Sequence, residues 1–327
     1  MTTIKQFFKK EKQQNAAMTS IQIRRMVVSA MFLCMALVIR TYFSHYVPIF
    51  GETGMRISIH GIFSVMPALL FGPFYGAVVS GLTDFLGHHL RPMGAFNPYL
   101  TLTAAMGGFI RGALWMLIRE RSDKTMRYGI IGISTILIFV GAYGVISFNR
   151  DGLSRDFYEA YTLGSYQHEL GFTAWIVERD AVRADHDINA MALPSRIAIT
   201  NSLDTANPTM RLGEFFMLVN TMLGGGFFGF LLVGINWLIG KYMFKETGSI
   251  STTTLLVALL VPAVLVSIIN THILRETQFL SWQLLPFWVI GLPRLMQAVA
   301  TTTIMAYFVA MLLNIFRRQP NAREIMK

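Results

Sequence analysis

The chain has 327 residues, of which 53% are hydrophobic and only 14% charged, with a formal net charge of +10. A soluble domain of that length carries about a quarter charged residues, so the deficit argues against a water-soluble protein. The basic excess does not point to nucleic acid. All the lysines sit in four places (Lys5 to Lys12, Lys124, Lys241 with Lys245, and Lys327), as retention of positive charge on one side of a membrane predicts.

Residues 1–20 are polar and basic, with no small-residue cleavage site ahead of the first apolar run. They are read as a cytoplasmic tail rather than a cleaved signal. Apolar segments then follow over about 26–38 (with a short amphipathic extension to Phe50), 57–71, 73–86, 100–118, 128–148, 212–239, 253–270, and from 284 or 293 to 316. Runs of this length imply spanning helices, so the expected fold is an all-α, polytopic membrane bundle of about eight helices. The second and third are short and separated only around Gly72, which implies tilt or mutual burial. An even count puts both termini on the cytoplasmic side, with the polar stretch 149–211 outside. That stretch has six arginines, nine acidic residues and no lysine. Its aromatics allow either a small folded cap or a partly ordered loop. The single cysteine, Cys34, lies in an apolar helix, so neither a disulfide within the chain nor a cysteine metal site is expected.

The densest information lies between Arg56 and Gly112. Gly72, Gly76, Ser80, Asp84 and His88 recur at spacings of four, which places them on one helix face. Ala104, Gly108 and Gly112 repeat the device on the next helix, and small faces of this kind let two backbones approach closely. Four ionisable residues, Arg56, Asp84, Arg111 and Arg294, fall within or at the ends of apolar segments. At membrane depth each needs a partner or a wet cavity. Two readings stand: a pocket whose arginines hold an anionic ligand, or internal pairing such as Asp84 with Arg56 or Arg111. Arg111 is also near enough to Arg119 to snorkel toward the inner surface.

The connection 91–99 contains two prolines and a glycine, so it is shaped rather than slack. Phe96 and Tyr99 can stack on a flat ring or anchor at the interface. Asn97, Thr101 and Thr103 can bond a ring's edge, or the threonines can bond their own helix.

The order Arg56-Ile57-Ser58, Phe71-Gly72-Pro73, Asp84, Gly87, Gly94, Phe96, Pro98, Thr101-Leu102-Thr103-Ala104 and Arg111-Gly112 resembles helices two to four of folate-family energy-coupling factor (ECF) S components. Asn270-Thr271 and Pro293-Arg294 resemble that family's last two helices, although Gln297 stands where it usually has a lysine. The resemblance implies a six-helix core, residues 21–121 and 251–318, with a cytoplasmic tail at 319–327. Residues 122–250 are then an insert carrying two further helices and the loop 149–211. It also implies a vitamin-sized ligand captured at the outer face. Arg56 and Arg294 would hold it, Asp84 and Asn97 would bond its polar edge, and Phe96 would stack. His88, Thr101, Thr103, Arg111 and Asn270 complete the candidate substrate-binding set. Small residues on helix one, here Ala30 and Cys34, would dock a transmembrane scaffold subunit.

No phosphate-binding G-x-x-x-x-G-K-[ST] run occurs, so ATP would be used by two separate ATPase subunits, and this chain would carry no cofactor of its own and no catalytic site. Two other classes remain: a self-powered secondary transporter, for which internal repeats are wanting, and an intramembrane metal enzyme built on Asp84, His88 and His89 with His60 or His45.

Overall fold

A computed structural model describes residues 2–49, 52–92, 94–153, 190–203, 208–242, 252–279, 282–283 and 287–318. In chain order these form α1 (Thr2–Tyr42), β1 (His45–Ile49), β2 (Glu52–Ile57), α2 (Gly61–Phe71), α3 (Pro73–Leu90), α4 (Pro98–Ile118), α5 (Asp123–Arg150), α6 (Leu193–Leu203), α7 (Pro208–Tyr242), α8 (Thr252–Thr277) and α9 (Phe287–Arg318). Among the described residues, six stretches are long and apolar enough to cross a membrane: Thr19–Tyr42, Pro98–Ile118, Asp123–Arg150, Phe215–Ile235, Thr252–Thr277 and Ile290–Phe316. With the short helices α2 and α3, this is an all-α membrane bundle compatible with about eight helices.

The amphipathic extension expected up to Phe50 is replaced by an antiparallel hairpin. Helix α1 stops at Tyr42, and His45 pairs with Ile57, Tyr46 with Arg56 and Val47 with Met55. The register slips between Val47 and Ile49, where Pro48 stands. Proline has no N–H to give a ladder, so an irregularity there is the expected result. Arg56 thus belongs to β2 rather than to the start of a helix, and its side chain lies outside the described residues.

The chain divides into two compact units. The first comprises residues 1–126, 239–279 and 294–327. Within it α2 and α3 meet at Gly72, whose φ of +100° is readily adopted only by glycine. Pro73 then opens α3 at its first position, where a missing N–H costs nothing. Helix α3 crosses α4 glycine to glycine. A Cβ on Gly76 would lie 2.5 Å from the Gly108 carbonyl oxygen, and one on Gly112 would lie 2.6 Å from Pro73 Cα. This is the close approach that the two small-residue faces predict. Helix α8 packs on α4, and α1 packs on α2 and α3. The inner face of α1 carries Ser29, Phe32, Ala36 and Arg40 at helical spacing, all buried.

The second unit comprises residues 127–238 and 280–293. Here α5 and α7 also meet through glycines: a Cβ on Gly141 would lie 2.6 Å from the Leu223 nitrogen, and one on Gly226 would lie 2.7 Å from the Ser134 carbonyl oxygen. Phe148, Leu153, Met191, Ala198 and Val219 form a buried apolar cluster. The Ala192 N–H donates to Asp151 Oδ2 at 3.0 Å. Residues on the two sides of 154–189 are therefore joined. Of the aromatics expected to build a cap, Phe157, Tyr158, Tyr161, Tyr166 and Trp175 lie outside the described residues.

Candidate functional site: an arginine-lined cavity

Asn97 sets the upper wall of the first unit. Its Oδ1 accepts the Tyr99 N–H at 3.0 Å, which caps α4, and Pro98 occupies the first helical position. Its Nδ2 donates to Thr277 Oγ1 at 2.7 Å at the end of α8. Gln278 Nε2 adds a second link, donating to the Ala95 carbonyl at 2.7 Å. The 91–97 connection is thus tied to α8 by two bonds, and Arg91 ties it to α1 by donating to the Thr41 carbonyl at 2.8 Å.

The α4–α8 seam continues inward. Thr103 Oγ1 bonds Asn270 Oδ1, and it also reaches its own helix at the Leu100 carbonyl, 2.9 Å away. Asn270 is followed by Thr271, whose hydroxyl accepts from Arg294 Nε at 2.9 Å. That bond holds the arginine of α9 against α8. Opposite, Asp84 on α3 is held by groups from two other helices. Its Oδ1 pairs with Arg40 Nη2 at 2.8 Å, and its Oδ2 accepts from Thr101 at 2.9 Å. Gly87 makes the ion pair possible, because a Cβ there would fall on the Arg40 Nε and Cδ. Beyond them lies a ring cluster. The His88 and Phe96 centroids are 5.3 Å apart, His89 and Phe96 5.5 Å, and Phe85 and Phe96 5.7 Å.

These elements enclose a cavity of about 390 Å³. Asp84, His88, Phe96, Asn97, Arg111, Asn270 and Arg294, all anticipated from sequence, line it. Thr101 and Thr103 do not; they hold Asp84 and Asn270 in place instead. Tyr99 is exposed and off the cavity. The lining also includes Arg40, Arg91 and Gln278, which were not anticipated from sequence, together with His60 and Gln297, which were noted there in other roles. Arg40 was within reach, because it continues the buried spacing Ser29, Phe32, Ala36. Internal pairing of Asp84 with Arg56 or Arg111 was one of the two readings; Asp84 pairs with Arg40, Arg111 makes no ion pair among the described residues, and the side chain of Arg56 lies outside them. Ala30 and Cys34 lie on the opposite, exposed side of α1, beside Val27, Met31 and Val38.

The volume suits a ligand of vitamin size. Its charge is unequal: Arg40 is matched by Asp84, whereas Arg91, Arg111 and Arg294 face the same space and Asp84 is the single carboxylate among the described lining residues. Such a wall favours an anionic guest over a cationic one. Among the described residues, no three His, Cys, Asp or Glu side chains come together as a metal site.

Residues 24–164 match the family model described as "ECF transporter, substrate-specific component". Over 117 residues the chain is 28% identical to the folate transporter FolT of Clostridium novyi (strain NT). That alignment covers 36% of this chain and 64% of the relative, short of two thirds of the relative's length. No solved structure matches. Both matches fall short of half of this chain, and the apolar stretches fit a multi-pass membrane protein.

Proposed function

We propose that this protein is the substrate-binding subunit of a vitamin importer. It captures a small, ring-containing, acidic molecule of folate type at the outer face of the membrane. The observation that carries this reading is the cavity itself, which Arg111, Arg294, Asn97, Asn270 and Phe96 all line. Arginine supplies a fixed fork suited to carboxylates, the asparagines supply edge donors and acceptors, and Phe96 offers a stacking face. The chain's likeness to the folate transporter supports the ligand class.

Uptake in this reading is powered from outside the chain. A transmembrane scaffold and two ATPase subunits do the work, and the scaffold docks on the exposed face of α1 around Ala30 and Cys34. Small residues there allow close helix approach. Both termini are then cytoplasmic, and the segment 149–211 is extracytoplasmic.

The test is reconstitution. Purified chain in vesicles should bind radiolabelled folic acid but accumulate it only when scaffold, ATPases and ATP are also supplied. Accumulation by the chain alone under an ion gradient would replace this reading with a secondary transporter.

A further inference from the structure

Arg111 stands apart from the other charges of the cavity. Among the described residues, Arg40 has Asp84, Arg91 has the Thr41 carbonyl and Arg294 has Thr271, whereas Arg111 has no hydrogen bond or ion pair. Its depth follows from the antiparallel seam between α4 and α8. Asn97 meets Thr277, Thr103 meets Asn270, and a Cβ on Gly107 would touch Val266 at 2.8 Å. Each step down α4 is matched by a step up α8, which sets Arg111 at the level of Ala263. Its direction follows from Gly107. A Cβ there would lie 3.8 Å from Arg111 Nη2. The guanidinium therefore folds back one turn toward the start of α4, into the cavity, and not toward Arg119 and the opposite surface. The missing side chain at position 107 leaves it room. At a rise of 1.5 Å per residue, the guanidinium lies about 15 Å along α4 from Asn97. Leu259 and Val309, both buried, belong to the cavity lining, while Arg91 and Phe96 are exposed.

Resting on the reading of the cavity as a substrate site, we propose that Arg111 is an acid-receiving floor. The ligand enters with a carboxylate leading. That group forms charge-assisted bonds with the guanidinium about 15 Å below the mouth, while the ring end stays near Phe96 and His88. A cation without a counter-charge at membrane depth is costly, and an arriving carboxylate supplies that counter-charge and two acceptors at once. A ligand of the same length without the acid leaves that cost in place. The proposal therefore fixes both the chemical class and the orientation.

The experiment uses the two halves of folic acid as probes. Binding of 4-aminobenzoyl-glutamate and of 6-hydroxymethylpterin is measured on purified wild type, Arg111→Gln and Arg111→Lys. The acidic half should bind wild type about 10- to 100-fold more tightly than Arg111→Gln, with Arg111→Lys between them, since a charge-assisted bond is worth that much. The pterin half should bind all three alike. Wild type alone gives a second reading that needs no variant to fold: the neutral diamide of 4-aminobenzoyl-glutamate should bind about tenfold or more weakly than the acid. Equal affinity for acid and diamide would overturn the proposal. So would a selective loss of the pterin half in Arg111→Gln, which would put the ring at the floor, or failure of every acidic probe to bind at millimolar concentration. Failure of folic acid alone, with Arg111-dependent binding of the acidic half, would remove the folate-type reading and leave the acid floor standing.

Discussion

Arg40 Nη2 and Asp84 Oδ1 meet at 2.8 Å, with the arginine 8% exposed and the carboxylate 20%. The pair joins α1 to α3, and Thr101 extends it to α4. Three helices of the cavity wall thus share one carboxylate. Removing one partner of such a pair strands the other as an uncompensated charge.

Asp84→Ala should therefore cost about 3–5 kcal/mol of stability, and the double change Arg40→Leu with Asp84→Leu should recover at least half of it. Thermal unfolding of the purified variants reads both. A double variant as damaged as the single would show that the pair does more than neutralise its own burial.

Gly108 admits no side chain, since a Cβ there would fall on the Gly76 carbonyl oxygen. Gly108→Leu should separate α3 from α4, lowering stability by about 3 kcal/mol or more. Gly87→Ala should act differently. It displaces Arg40, so its cost should shrink when Arg40 is already leucine. A coupling energy measured by a double-mutant cycle decides this.

Asn97 has two functions that can be separated. Asn97→Asp keeps the cap on α4 and gives up the donation to Thr277. Asn97→Ala loses both, and the cap alone is worth about 1 kcal/mol. The alanine variant should unfold at the lower temperature. Equal unfolding temperatures would assign all the effect to the Thr277 bond.

Asp151, just past the end of α5, carries a pH dependence. Burial pushes its carboxyl up, but hydrogen bonds from Ser195 and Ala192 and the Arg150 guanidinium outweigh that and hold it below its usual value. A depressed carboxylate stabilises the folded state above the unfolded pKa and loses that contribution as pH falls through the lower folded value. The second unit should therefore be insensitive to this group from pH 7 to 5 and weaken below about pH 4. Asp151→Asn should flatten that part of the profile; an unchanged profile would remove Asp151 as its cause.

Much of the site was legible because its determinants are local. The spacing of Gly72, Gly76 and Ser80 against Gly108 and Gly112 announces a close helix crossing, and Asn97-Pro98 announces a helix start. Arg111 and Arg294 stand out as charges in apolar runs. The Arg40–Asp84 pair was not legible, because nothing in the chain ties position 84 to position 40 until α1 and α3 have packed. The hairpin 45–57 was hidden for a related reason. Its pairing crosses a proline and a register slip, so no clean alternation marks the strands. Thr101 and Thr103 were given either a ligand's edge or their own helix as partner, and Thr103 does reach its own helix, but their bonds to Asp84 and Asn270 were not foreseen; residue type names a donor but not its acceptor.

The central claim is that the cavity holds an acidic, vitamin-sized guest. The most direct measurement is to denature freshly purified protein, extract it and identify co-purifying small molecules by mass spectrometry, with metals quantified on the same sample. The account predicts one ring-containing carboxylic acid per chain and no stoichiometric metal. A stoichiometric metal with no organic ligand, or an empty protein that also fails to bind folic acid, would contradict it.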